Sequence, residues 1–372
     1  MASVAVRRLE PVRPTPPFQE PPFPHPSPAL CALLRPYLLY PAWIACGVVL
    51  LGQALAPALL VRIQYLPFIA SLLLFGLPHG ALDHLVPQRL RGERPTVGVV
   101  AIVSLAYLAL VGLYLALWQF APAVGLGLFL IISVTHWGAG DAFFLIAFLR
   151  RPRPSPLGLA VVWAVRGALP ILLPPLIDPA ALTTLTRGIG HYYGMPGGWV
   201  IAPTLRAAGL IALAALVAVY VAQAVAARRR VPTYLLWVDL LEIALLCALF
   251  WGVPSILSVG VYFCLWHSCR HIARLLLIDV DNLPLLAARR FGPPLRSFAL
   301  DALPTTLGAL ALLSALYLTH RDAAGAPDRF VWLYLSLIAA LTFPHLLLVA
   351  LMDLRQGMLP TRGAHREQQA QT

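Results

Sequence analysis

Ten long apolar stretches follow one another along this chain, at roughly 37–61, 63–88, 96–118, 121–149, 157–177, 199–226, 233–252, 254–278, 299–319 and 329–354. A helix needs about 20 apolar residues to cross the hydrocarbon core of a bilayer, and most of the stretches reach that length. Backbone groups in lipid must be satisfied internally, which segments of this length achieve as helices. The expected fold class is therefore all-α, a polytopic transmembrane helix bundle of about ten spans. Composition agrees: 60% of the 372 residues are hydrophobic, 11% are charged and the mean hydropathy is +0.80, which excludes an ordinary soluble globule. Two stretches are expected to kink or re-enter. The fifth is interrupted by Arg166, Pro170, Pro174 and Pro175, and the ninth carries Asp301 and Pro304.

The formal net charge of +12 raises the question of nucleic acid, and the placement of the basic residues answers it. All 27 are arginine. With ten spans and both termini cytoplasmic, twenty of them fall on the inner side, in groups such as Arg89, Arg91 and Arg94, then Arg150, Arg151 and Arg153, then Arg228, Arg229 and Arg230. Only Arg62, Arg187, Arg321 and Arg329 fall outside, while Arg166, Arg206 and Arg270 lie within spans. That asymmetry is a topology signal, and it places a multi-pass protein in the cytoplasmic membrane. No groove-reading motif accompanies it, so nucleic acid is not a partner. The bilayer is.

One membrane domain, 37–356, is expected between a Pro-rich disordered cytoplasmic tail, 1–36, and a polar C-terminal tail, 357–372. The connections near 179–198 and 279–298 read as Pro/Gly-punctuated loops. Cys31, Cys46, Cys247, Cys264 and Cys269 are odd in number and show no CxxC pairing, so neither a disulfide framework nor a thiolate metal site is implied.

Within this apolar background stand three histidine motifs, Pro78-His79-Gly80-Ala81-Leu82-Asp83-His84, Thr135-His136-Trp137-Gly138 and Trp266-His267-Ser268-Cys269-Arg270-His271, with Pro344-His345 as a fourth position. Ionisable groups in hydrocarbon are costly and mark function. The motifs occupy the second, fourth, eighth and tenth stretches, which share one direction of travel. At 1.5 Å per residue His79, His136, His267, His271 and His345 come to similar depth. His267 and His271, spaced i, i+4, share a helix face and can grip one ion. Asp83, one turn beyond His79, can accept an imidazole N–H from its own or a neighbouring helix and fix the tautomer. Arg270 needs a buried partner, for which Asp83, Asp141 and Glu242 are candidates. Glu242, with Asp239, is read as a supporting or interhelical group, and His345, alone on its helix, as a supporting rather than a ligating residue. His84 is turned away from His79. His25, His191, His320 and His365 read as solvent-facing.

Three classes of protein use such residues: a metal enzyme, a His/Asp-lined membrane transporter or proton relay, and a bis-histidine haem carrier. Taken in order, Gly76-Leu77-Pro78-His79-Gly80-Ala81-Leu82-Asp83, His136-Trp137-Gly138 with Asp141, Trp266-His267-Ser268 with Arg270-His271, and Pro344-His345 resemble the Brp/Blh family of membrane carotenoid cleavage dioxygenases, over about residues 65–354. The resemblance implies a multi-pass, Fe(2+)-dependent enzyme that cuts β-carotene at its central double bond with O2, giving two retinal molecules. It implies His79, His136, His267 and His271 as the iron ligands, and a functional link to a retinal-binding rhodopsin. Imidazole donors suit such iron, and a low-dielectric bundle admits an apolar polyene. Asp83 would orient a ligand, Glu242 and His345 would support the centre, and Trp137, Tyr262, Phe263 and Trp266 are expected as tunnel walls. An N-terminal extension with an additional span and the extra His84 depart from a minimal family member.

Overall fold

The computed structural model describes residues 27–192, 198–319 and 329–358. Long helices build it, and their order follows the apolar stretches. They are α1 Pro28–Leu55, α2 Pro57–Arg89, α3 Val97–Phe120, α4 Pro122–Ala147, α5 Pro156–Ile177, α6 Pro179–Tyr192, α7 Pro203–Arg229, α8 Thr233–Gly252, α9 over 255–278, α10 Gly292–Thr319 and α11 Arg329–Arg355. Nine helices among the described residues are long and apolar enough to cross a membrane. Large apolar side chains such as Ile102, Leu105, Ile131, Ile211 and Trp251 remain exposed on the outside of the bundle. A water-soluble surface does not carry such a belt. The chain is a multi-pass membrane protein with an all-helical bundle fold.

Several boundaries differ from the sequence expectation, each for a local reason. α1 begins at Pro28, so residues 28–36 are helical rather than part of a tail; proline at the first helical position is the start signal. The stretch 179–198 is not a loop throughout, because α6 occupies Pro179–Tyr192. Asp178 Oδ1 accepts the Ala181 N–H at 3.0 Å, and Pro179 follows it, so Asp-Pro is a cap and an N1 proline rather than loop punctuation. Thr183 and Thr186 of α6 tie down Trp199: the Trp199 N–H donates to Thr186 Oγ1 at 2.7 Å, and Thr183 Oγ1 donates to the Trp199 carbonyl at 2.9 Å. Near 279–298 a capped turn at Val280–Asn282 and a short helix Leu283–Ala287 precede α10, which begins at Gly292. α5 runs unbroken through Pro170, Pro174 and Pro175. His25, His320 and His365 lie outside the described residues, as does the side chain of His191.

α4 and α5 form the tightest pair, and two glycines allow it. A Cβ on Gly138 would lie 2.0 Å from the Trp163 carbonyl oxygen, and one on Gly167 would lie 1.8 Å from that of Val134. Each helix therefore needs a bare backbone where the other crosses. α5 also packs on α7 and α8, and α11 packs on α3 and α4. This arrangement places α4 centrally, between the α5 side of the bundle and α11.

Candidate metal centre

Two of the helices leave α-geometry where the histidines stand. In α2 a π-helical segment, Ser71–Gly76, precedes the short α-turn Leu77–Gly80, and a 3-10 turn, Asp83–Leu85, follows. In α9 the segment Tyr262–Ser268 is π-helical between Ser255–Val261 and Cys269–Ile278. π-Turns widen the helix and are frequent at functional sites. Pro78 supplies part of the cause in α2, since it has no N–H to continue the ladder. The broken α2 re-aims Asp83. Its carboxylate does not turn back to His79 but crosses to α11, where Oδ2 accepts from His345 Nδ1 at 2.8 Å.

Five imidazoles from α2, α4, α9 and α11 converge. Ring centroids separate His79 from His345 by 5.1 Å, from His267 by 5.5 Å and from His271 by 5.6 Å. His136 lies 4.7 Å from His345 and 4.8 Å from His267, and His271 lies 5.0 Å from His345. All five are buried. One ligand atom each from His79, His136 and His345 lies within 4.8 Å of the others, and the same holds for Asp83, His271 and His345. His267 belongs to neither group; its ring stacks on Phe263 and tilts against Trp137.

Protein partners account for only part of this polarity. His79 Nδ1 faces the carbonyls of Gly76 and, at 3.2 Å, Phe75. Both ring nitrogens of His136, and the Nε2 atoms of His267, His271 and His345, are buried with no partner. An unsatisfied buried polar atom costs about 1–3 kcal/mol, so a cluster of them at one point calls for a shared acceptor of lone pairs. A metal cation is such a group. Neutral imidazole nitrogens are its preferred donors among uncharged side chains.

Behind α9 lies a second polar assembly that sequence reading grasped only in part. Arg166, wholly buried, donates to Asp141 at 3.1 Å, Glu242 at 2.8 Å and Asp239 at 2.5 Å. Arg270 bonds Asp141 at 2.8 Å and also Glu242, with its guanidinium over the rings of Phe144 and Trp266. Arg151 joins through Asp239 at 2.6 Å, and the Tyr220 hydroxyl donates to Asp239. Three arginines meet three carboxylates, and their formal charges cancel. Of the partners considered for Arg270, Asp141 and Glu242 are taken and Asp83 is not. Glu242 pairs with Arg166 and Arg270, and Arg270 stands between His267 and His271 in the sequence of α9. The central place of Arg166 had one legible signal, an arginine inside an otherwise apolar span, whereas nothing in the sequence marked Arg151 or Tyr220.

A cavity of about 550 Å³ opens beside the cluster. His79, Asp83, His84, His136 and His345 contribute to its lining, and its remaining wall is mostly apolar, including Phe68, Val111, Phe129, Leu312 and Leu341. Of the four residues expected as tunnel walls, Trp137 and Phe263 line it. Tyr262 and Trp266 do not, and this corrects the expectation. Trp266 turns its indole N–H to Asp141 at 3.2 Å, and Tyr262 packs between Phe250 and Trp137. Tyr107, missed in the sequence, lines the cavity and donates its hydroxyl to the Leu341 carbonyl at 2.9 Å.

Comparison with known proteins adds an independent line. The family description "Beta-carotene 15,15'-dioxygenase" matches residues 70–353. A relative named "Probable beta-carotene 15,15'-dioxygenase Blh" from Halobacterium salinarum is 37% identical over 337 residues, covering 88% of this chain and 95% of the relative. A second protein of that organism, "Probable beta-carotene 15,15'-dioxygenase Brp", is 26% identical over 82% of this chain and 88% of its own length. A "Beta-carotene 15,15'-dioxygenase" from uncultured marine bacterium 66A03 is 26% identical over 55% of this chain and 67% of its own. No solved structure matches. The matched region contains all five clustered histidines and Asp83, and the chain belongs to the beta-carotene 15,15'-dioxygenase family.

Proposed function

We propose that this chain is an Fe(2+)-dependent dioxygenase that splits β-carotene or a related carotenoid at the central 15,15' double bond, with O2, into two molecules of all-trans-retinal. The observation that carries the reading is the convergence of buried, unpartnered imidazole nitrogens beside a largely apolar cavity, in a chain of this family. Histidines 79, 136, 267 and 271 would hold the iron, which supplies activation of O2 at the polyene. The reaction balances without a reductant: one carbon–carbon double bond is lost, two carbonyl bonds form, and O2 provides both oxygens.

The chain's own part is to bind, orient and exclude. Gly76 and Phe75 carbonyls hold His79 by Nδ1, which directs Nε2 away from the backbone. Asp83 does the same for His345. Asp141 lies on the His136 helix and Arg270 on that of His267 and His271, so their ion pair keeps these two helices in register; Glu242 secures Arg270 from α8. Trp137 and Phe263 present flat apolar faces to the polyene, and the surrounding apolar wall keeps water from the reacting centre. No step requires a protein acid or base.

The arginine asymmetry supports a cytoplasmic-membrane location with both termini inside and a single membrane domain, and retinal as the product suits a functional link to a retinal-binding partner such as a rhodopsin. Expression in carotenoid-producing cells tests the activity. Wild type should bleach the pigment and accumulate retinal, and His267→Ala should do neither; pigment loss without any aldehyde would sink the reading.

A further inference from the structure

We infer that His345 is itself a metal ligand, a fifth imidazole from α11 held for the purpose by Asp83. The inference rests on the metal-centre reading above and changes its donor set. His345 is common to both groups of close donor atoms, that with His79 and His136 and that with His271 and Asp83. Its ring is the neighbour of three others, at 4.7 Å, 5.0 Å and 5.1 Å. Two metal–nitrogen bonds of about 2.1 Å span at most about 4.2 Å, so donors within 4.8 Å need only a small closing movement.

The two ends of the ring have different fates. Nδ1 meets the Asp83 carboxylate at 2.8 Å, while Nε2 is buried and has no partner. A carboxylate accepting from Nδ1–H fixes the tautomer that leaves the Nε2 lone pair free, and this is how ligating histidines are ordinarily oriented. A purely supporting histidine would use its second nitrogen on a ligand or on backbone. His345 uses it on neither. Five imidazoles leave a six-coordinate ion one site for an exogenous ligand, a narrower opening than four would leave.

The test counts ligands rather than turnover. Iron-loaded wild type, His345→Gln and Asp83→Asn are compared by X-ray absorption at the iron edge and by chelator competition. Wild type should fit five imidazoles, and His345→Gln should fit four and bind iron at least about tenfold more weakly. Asp83→Asn should weaken binding by about 10–100-fold, the usual effect of losing a carboxylate behind a ligating histidine. Added free imidazole should restore the fifth scatterer in His345→Gly. An unchanged imidazole count and affinity in His345→Gln overturns the inference. So does a four-imidazole wild type, a result that needs no variant to fold. Wild type that takes up no metal would instead overturn the reading beneath it.

Discussion

At the scale of single residues, the site is a problem of polar atoms buried among apolar helices. His136 is the extreme case, with two buried ring nitrogens and no protein partner for either. His136→Ala should therefore cost little in folding but lower metal uptake, measured as metal per chain in purified protein. Asp141 is the opposite case, since it is fully engaged with Arg166, Arg270 and Trp266. Asp141→Asn leaves two buried guanidinium groups short of charge and should destabilise by about 3–5 kcal/mol, read as a lowered thermal midpoint in detergent. The histidine motifs and their ordered resemblance were plain in the sequence because polar residues stand out in apolar runs. The direction each side chain takes was not. Asp83 reaches His345 rather than His79 because α2 breaks after Gly80, and an ideal helical wheel contains no such break.

At the scale of elements, the apolar runs disclosed the helices and their order but neither their true ends nor their departures from regular geometry. Asp178-Pro179 opens a helix where punctuation suggested a loop, and the prolines of α5 fail to interrupt it. Prolines carry both meanings, and only their neighbours decide. The crossing of α4 and α5 gives a clean test. Gly138→Ala and Gly167→Ala each place a methyl within 2.0 Å of a facing carbonyl oxygen and should cost at least about 1–3 kcal/mol, with His136 displaced in consequence. Gly127→Ala, with nothing within 4 Å of the new Cβ, should leave the thermal midpoint unchanged. Equal effects at all three positions would contradict a role for close backbone packing.

At the scale of the whole molecule, much of the buried polarity falls in two places, an ion network of three arginines and three carboxylates behind α9 and an imidazole cluster beside the cavity. The first locks helices together; the second is left unsatisfied. Periodicity cannot show this division, because it depends on which helices α9 lies between. The cavity should be the seat of the polyene. Gly308 lines it and has open space around its Cβ, so Gly308→Phe should fill it and lower retinal formation by about 10²-fold while metal content stays at the wild-type level. The most direct measurement of the central claim is the product balance of purified, iron-loaded protein given β-carotene and O2. Two retinals per carotenoid consumed, with no longer or shorter aldehyde, is the predicted result; consumption without retinal, or a mixture of unequal fragments, would contradict it.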